Sequence, residues 1–286
     1  MLYCPPMTAP LQFAVSLARL AGDLLLDFFR HSDLKTNLKP DQSVVTEADL
    51  AADELISKAI QEQYPGEVLL SEETRTRYPI GTNLTHPPVW IIDPLDGTTN
   101  FSLGLHFWGI SIARLVEGRP ETAVLYFPII EELYTAERGR GASLNDEPIH
   151  IQPPRVEYPL PFFVCCSRTF RQYNVEVPYK IRILGSASYT FCAVARGIAV
   201  LGFEANPKIW DIAGAWLLVE EAGGTIETLH GSEPFPLETA MDYAGMDFPT
   251  LAAATPQIAS KAREQIHPRS PSQAQAKPND IPSDSM

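Results

Sequence analysis

Near the start of the chain the apolar positions follow a helical period. Leu17, Leu20, Leu24 and Phe28 recur three or four residues apart, while Arg19, Asp23 and Asp27 fall on another face. That spacing predicts an amphipathic helix over about residues 11–29. A second helix is expected from near Thr46 to about Gln63 on Leu50, Leu55, Ile56 and Ala59, with Tyr64-Pro65-Gly66 ending it. Glu67-Val68-Leu69-Leu70 reads as a short strand, and the polar, proline-rich stretch 74–88 as a loop. Val89-Trp90-Ile91-Ile92 is apolar without interruption, as expected of a strand covered on both faces.

Runs at about 107–116, 121–127 and 132–137 predict an antiparallel meander. From about 150 to 180 the chain is irregular and rich in proline, and predicts no element. A βαβ-like pattern then resumes: a strand near 181–184, a helix over about 189–197, a strand near 198–203 and a helix from Asp211 to about Ala222. Residues 267–286, dense in Pro, Ser, Gln, Asn and Asp, are expected to form a disordered tail. That leaves 1–266 as one domain with subdomains of roughly 1–150 and 151–266, and no internal repeats.

Composition narrows the function classes. The 286 residues are 45% hydrophobic and 20% charged, as in soluble globular chains. A net charge of −13 disfavours a binder of nucleic-acid backbones, which needs a basic face. It leaves phosphate substrates open, because bound divalent cations reverse the local field. Cys4, Cys165, Cys166 and Cys192 show no CxxC spacing, and the first residues lack the basic start of a secretory signal. Arg19, Asp23 and Asp27 interrupt the apolar stretch 11–29, which argues against a membrane span. A cytoplasmic protein is expected.

The candidate chemistry lies in carboxylates at the ends of apolar segments. Asp49 follows Val44-Val45-Thr46, Glu72 follows the strand at 67–70, Asp93 and Asp96 bracket Pro94-Leu95, and Asp211 follows Trp210. Singly, Asp49 is an ordinary helix acid, Asp211 an N-cap, Glu72 a solvated side chain and Asp96-Gly97 a turn. Together they suit Mg²⁺, a hard cation that takes oxygen ligands, with the Leu95 carbonyl as a further donor. The six histidines have no zinc-ligand spacing. Gly97-Thr98-Thr99-Asn100 follows at once and would present backbone N–H groups to a phosphate.

These motifs resemble those of the inositol monophosphatase family, within the lithium-sensitive, Mg²⁺-dependent phosphatases. Trp90 to Phe101 is similar to its first signature, and Ile209 to Ala215 with Glu221-Ala222-Gly223-Gly224 to its second. Val45-Thr46 with Asp49, and Glu72-Glu73 after an aliphatic strand, complete the set in order. Ser71 stands where a glycine is usual.

The resemblance implies a layered αβαβα sandwich of the inositol monophosphatase/fructose-1,6-bisphosphatase type, usually a homodimer. It implies two or three Mg²⁺ ions, with Mn²⁺ as an alternative. Glu72, Asp93 and the Leu95 carbonyl would hold the first ion; Asp93, Asp96 and Asp211 the second; Glu72 and Asp49 would flank a weaker third. Thr98, bonded to Asp49, would orient and help deprotonate a water together with Glu72. Gly97 and Thr98 would bind phosphate, and Gly185, Ser186, Ala187, Glu204 and Asp211 would touch the substrate. Lys39 would be a basic residue beside the metals.

The implied activity is hydrolysis of a small phosphate monoester, inositol monophosphate first. Fructose 1,6-bisphosphate, histidinol phosphate and 3′-phosphoadenylate are alternative substrates, and an inactive binding homologue is a reading of another class.

Overall fold

The protein is described from a computed structural model covering residues 7–30, 36–38, 44–73, 84–152, 161–239 and 241–270. Lys39, most of the 74–88 loop and residues 271–286 of the expected tail lie outside these segments.

Helix α1 (Ala9–Arg30) turns Leu11, Ala14, Leu17, Ala18, Ala21 and Leu25 inward. This corrects the expected stripe: Leu17 belongs to it, but Leu20 is 59% exposed, and Leu24 and Phe28 are only part-buried. Small residues take the inner face because the helix lies close on a sheet. A Cβ added at Gly22 would come within 2.5 Å of the Tyr126 ring. At 22 residues, α1 is long and apolar enough to cross a bilayer by length and composition. Its apolar face is nevertheless used inside the fold.

Strands β1 (Thr36–Leu38) and β2 (Val44–Thr46) pair antiparallel and lead into α2 (Glu47–Gln63). Thr46 caps that helix: its hydroxyl accepts from the Ala48 and Asp49 amides, and the Asp49 carboxylate accepts from the Thr46 amide. Ala48, Ala52, Ile56 and Ile60 are buried, whereas Leu50 is 53% exposed.

A seven-stranded sheet follows chain order: β3 (Val68–Ser71), β4 (Val89–Asp96), β5 (Gly109–Val116), β6 (Arg119–Phe127), β7 (Glu132–Glu137), β8 (Gly141–Leu144) and β9 (Glu147–Ile149). Only β3 and β4 are parallel, so the expected meander is present and continues through β8 and β9. The short helix α3 (Thr98–Ser102) sits between β4 and β5. All eight residues of β4 are buried, for a simple reason. Trp90, Ile92 and Leu95 pack with α1 and α2, while Val89 and Ile91 face the opposite layer.

The second half contains β10 (Phe162–Cys165), α4 (Thr169–Gln172), β11 (Tyr173–Val175), β12 (Lys180–Arg182), α5 (Ala187–Ala195), β13 (Ala199–Glu204), α6 (Ile209–Glu221), β14 (Thr225–Thr228), β15 (Thr250–Ala253), α7 (Pro256–Arg263) and β16 (Ile266–Pro268). A five-stranded sheet runs β12-β10-β13-β15-β14. Helices α5 and α6 fill the space between the two sheets, and α7 packs on the outer face of the second. The layers are therefore α1/α2, sheet, α5/α6, sheet, α7: the αβαβα sandwich.

Two expectations need correction. The stretch 150–180, read as irregular, contains β10, α4 and β11, whose partners are distant in sequence. The ordered chain also runs past 266, because β16 pairs with β11 and the Arg269 amide donates to the Gln172 carbonyl at 2.7 Å.

Candidate active site

Strand β4 ends among carboxylates although all of its residues are buried. Oxygens of Glu72, Asp93 and Asp211 lie within 4.8 Å of one another. Glu72 follows the parallel neighbour β3, and Asp211 stands in the first turn of α6. Asp211 is not the N-cap of that helix: Lys208 is, and its amide donates to the Asp211 carboxylate at 2.7 Å.

Asp93 is 1% exposed, and its Oδ1 accepts from the Leu95 amide at 3.0 Å. As a carboxylate, its buried Oδ2 has no hydrogen-bond donor. Burial, then the charges of Glu72, Asp96 and Asp211, raises Asp93 well above the usual carboxylate range. Burial, followed by Asp96 and Glu72, does the same to Asp211. Three close acids with an unsatisfied buried oxygen are poorly arranged as bare charges. A hard cation remedies both defects, so this donor set fits Mg²⁺.

Thr98 Oγ1 lies 2.9 Å from Asp49 Oδ1 and 3.0 Å from the Leu95 carbonyl oxygen, and its one proton serves a single acceptor at a time. The other Asp49 oxygen accepts from the Thr46 amide at 2.8 Å and hydroxyl at 2.5 Å. Asp49 is thus both a capping residue and the partner of Thr98. Burial outweighs these hydrogen bonds and raises its pKa.

Gly97 connects β4 to α3 at φ +87°, where a Cβ would stand 2.8 Å from the Phe107 carbonyl oxygen. Only glycine fits that turn without strain. The Asn100 amide donates to the Phe107 and Leu184 carbonyls at 2.6 and 2.7 Å, which ties this turn to the chain entering Gly185.

Asp96 lines the same cavity but is not one of the three clustered acids. Its carboxylate accepts from the Ala187 amide at 3.1 Å, the Ser188 amide at 2.8 Å and the hydroxyls of Ser186 and Ser188. The start of α5 is therefore clamped to the end of β4. Ser188 was not among the sequence-based candidates, although Ser186-Ala187-Ser188 opening a helix carries a capping signal.

Glu204 ends β13 in the cavity wall, where its Oε1 accepts from the Thr190 hydroxyl at 2.7 Å. Burial pushes its pKa up to about 8, against the lowering effect of Thr190, Cys166 and Arg168. The cavity, about 280 Å³, brings together Glu72, Asp93, Leu95, Asp96, Gly97, Thr98, Gly185, Ser186, Ala187, Glu204 and Asp211. Asp49 adjoins it through Thr98. Sequence reasoning missed Cys166, Ser167, Arg168, Asn206 and Pro207 on its rim. No spacing signal links Cys166–Arg168 to the acids, because β10 reaches the site only by pairing with β13.

Residues 7–267 match the sequence profile of the Inositol monophosphatase family. The chain belongs to that family. It is a phosphoric monoester hydrolase. As an inositol monophosphatase family member it is 33% identical over 273 residues to the Nus factor SuhB of Pasteurella multocida, covering 92% of this chain and 97% of that one. It is 36% identical over 230 residues to a histidinol-phosphatase of Chlorobaculum parvum, covering 76% and 85% of the two chains. Among solved structures, the IMPase of Thermotoga maritima matches with a TM-score of 0.74 at 25% identity, covering 90% of this family member and 96% of that chain. Family membership establishes the phosphatase chemistry, while the relatives' names divide over the substrate.

Proposed function

We propose that this enzyme hydrolyses a small phosphorylated polyol, inositol monophosphate first, with Mg²⁺ bound by Glu72, Asp93 and Asp211. The Leu95 carbonyl and Asp96 complete the donor set in this reading. The observation that carries it is the unpartnered, buried Asp93 Oδ2 among three clustered acids, beside the Thr98–Asp49 pair. When bound, the cations polarise the phosphate, acidify a water and support the leaving oxygen.

The protein supplies the rest. Thr98 donates its proton to Asp49, which leaves the Thr98 lone pairs to accept a hydrogen bond from the attacking water. The proton released by that water passes toward Asp49 through Thr98, or to Glu72. The amides of Gly97 and Thr98 hold a phosphate oxygen. Glu204 and the Gly185–Ala187 backbone face the polyol, with Glu204 able to donate or accept near neutral pH.

Purified protein assayed with Mg²⁺ against inositol, sugar, histidinol and nucleotide phosphates tests the proposal. Turnover abolished by chelation and restored by Mg²⁺ is expected. Undiminished turnover after exhaustive chelation refutes the metal reading, and no turnover of any ester supports a binding homologue. Inhibition by Li⁺ belongs to the same proposal and is read in the same assay.

A homodimer is also proposed, on the support of Leu105 and Ile183, which are 51% and 50% exposed and line one groove beside the cavity. Light scattering reads the mass directly.

A further inference from the structure

Asp96 is held unlike the clustered acids of the cavity. The pairing of β4 with β5 shifts register between Asp93 and Asp96, and Asp96 does not join Glu72, Asp93 and Asp211. Its Oδ2 accepts from the hydroxyls of Ser186 and Ser188 and from the Ser188 amide at 2.8 Å, while Oδ1 accepts from the Ala187 amide at 3.1 Å. A carboxylate oxygen offers about two lone-pair sites, so Oδ2 is saturated. Ser186 is also the N-cap of α5, its hydroxyl accepting from the Tyr189 amide at 3.1 Å. Ser188, one residue into the helix, is not needed as a cap. It is fully buried behind Ser186 and Ala187 of the cavity wall, and its hydroxyl serves Asp96.

The two parts of the donor set therefore stand in different states. Asp93 Oδ2 is buried without a hydrogen-bond donor and is ready for a cation. Asp96 Oδ2 already faces several polar hydrogens. Mg²⁺ binds oxygen at about 2.0–2.1 Å in near-octahedral geometry and tolerates little distortion. Polar hydrogens aimed at the same oxygen repel it at that distance. Asp96 can serve a cation only as the start of α5 lets go. That release also frees the Ala187 amide and the Ser186 hydroxyl, both on the cavity wall, for a substrate hydroxyl.

We propose that Ser188 is a positioning residue that holds Asp96 on the start of α5, so that a cation gains Asp96 only in exchange for these hydrogen bonds. Loss of the Ser188 hydroxyl then shifts the exchange toward the cation. The inference rests on the Mg²⁺-phosphatase reading above.

The test compares wild type, Ser188→Ala, Ser188→Cys, Asp96→Asn and the Ser188→Ala/Asp96→Asn double variant. Each is read by calorimetric Mg²⁺ titration, metal-free thermal denaturation and turnover of inositol 1-phosphate across Mg²⁺ concentration. Asp96→Asn should abolish one Mg²⁺ step and so identify it. Ser188→Ala should tighten that step about tenfold, the size of one charge-assisted hydrogen bond removed from the competition. The other step should move less than about twofold. The metal-free melting temperature should drop by a few degrees, since the same bond is lost to the fold. At saturating Mg²⁺ kcat should change little, while the Mg²⁺ concentration for half-maximal rate falls. Ser188→Cys, a weaker donor of nearly the same shape, should fall between wild type and Ser188→Ala. In the Asp96→Asn background, Ser188→Ala should leave the remaining step unchanged. A titration unaltered by Asp96→Asn, an Asp96 step unchanged or weakened by Ser188→Ala, an unchanged metal-free melting temperature, or the same Ser188→Ala effect in the Asp96→Asn background overturns the inference. Mg²⁺-dependent turnover by wild type then leaves the phosphatase reading standing. A wild type that neither binds Mg²⁺ nor turns over any phosphate ester overturns both.

Discussion

The two walls of the cavity are built differently. On one side, Asp93, Leu95 and Asp96 stand on a strand whose every residue is buried, paired on both edges and packed on both faces. On the other, Cys166–Arg168, Gly185–Ala187 and Glu204–Pro207 stand at strand ends and helix starts, with Ser167 and Arg168 exposed. The buried wall holds like charges at short range, a destabilising arrangement that persists because the sheet fixes it. On the open wall, the exposed Ser167 and Arg168 can change at small cost to the fold. Asp93 and Asp96 thus stand on the buried strand, while the exposed residues of the cavity rim, Ser167 and Arg168, stand on the other wall.

The hardest blow to the buried wall is Asp93→Asn. Activity should fall by about 10³-fold or more, since the shared cation ligand is gone. Metal-free stability should move the other way. A raised carboxylate favours the fold while protonated, and that contribution is lost as pH climbs from its ordinary 3.8 through the folded value. Asp93→Asn should therefore melt several degrees above metal-free wild type at pH 7–8, with the gain shrinking toward pH 4. Its melting temperature should no longer rise with Mg²⁺. Calorimetry across pH, with and without Mg²⁺, checks all three; a lower melting point at pH 8 would mean that the acids are not in conflict.

Thr98→Ala should cost about 10²-fold in kcat while leaving calorimetric Mg²⁺ affinity unchanged, because it removes the hydroxyl and no charge. Failure of excess Mg²⁺ to restore the rate separates it from a ligand variant. If affinity drops with rate, Thr98 belongs to the metal site.

On the open wall, Glu204→Gln should change the pH dependence of stability more than the fold. The wild-type contribution is complete below the ordinary 4.5 and disappears as pH rises to about 8. The variant, neutral throughout, should be relatively more stable at pH 8 than at pH 4.5, by an amount on the order of several kcal/mol at most. Parallel denaturation profiles for the two proteins would show that Glu204 is not strained by burial.

The smallest effect is expected at the C-terminal end. Removing 271–286, whose only large apolar side chains are Ile281 and Met286, should shift the melting temperature by about a degree or less. Removing 267–286 also takes His267 and Pro268 of β16 and the bonds of Arg269, and should lower it by several degrees. Equal effects of the two cuts would place the stabilising contacts elsewhere.

Much of the fold was legible along the chain. The uninterrupted Val89–Ile92 run announced a strand covered on both faces, and the meander and the α6 segment were read within a few residues. The inward face of α1 was misread because leucines dominate any hydrophobic period, whereas a helix lying close on a sheet selects Ala14, Ala18, Ala21 and Gly22. The strands within 150–180 gave no pattern, being three or four residues long. Strands so short are defined by partners far away in sequence.

The sequence by itself determined which acids belong to the site, because metal chemistry demands particular oxygen donors and the Asp93–Thr98 and Trp210–Asp211 segments carry them locally. Tertiary structure alone decided how they are used. It gathered Glu72, Asp93 and Asp211 while engaging Asp96 with the start of α5, and it brought Arg168 to the rim through the pairing of β10 with β13. The physical reason is range: a ligand's identity is a property of one residue, but its distance to the next is set by contacts between elements that the chain separates by dozens of positions.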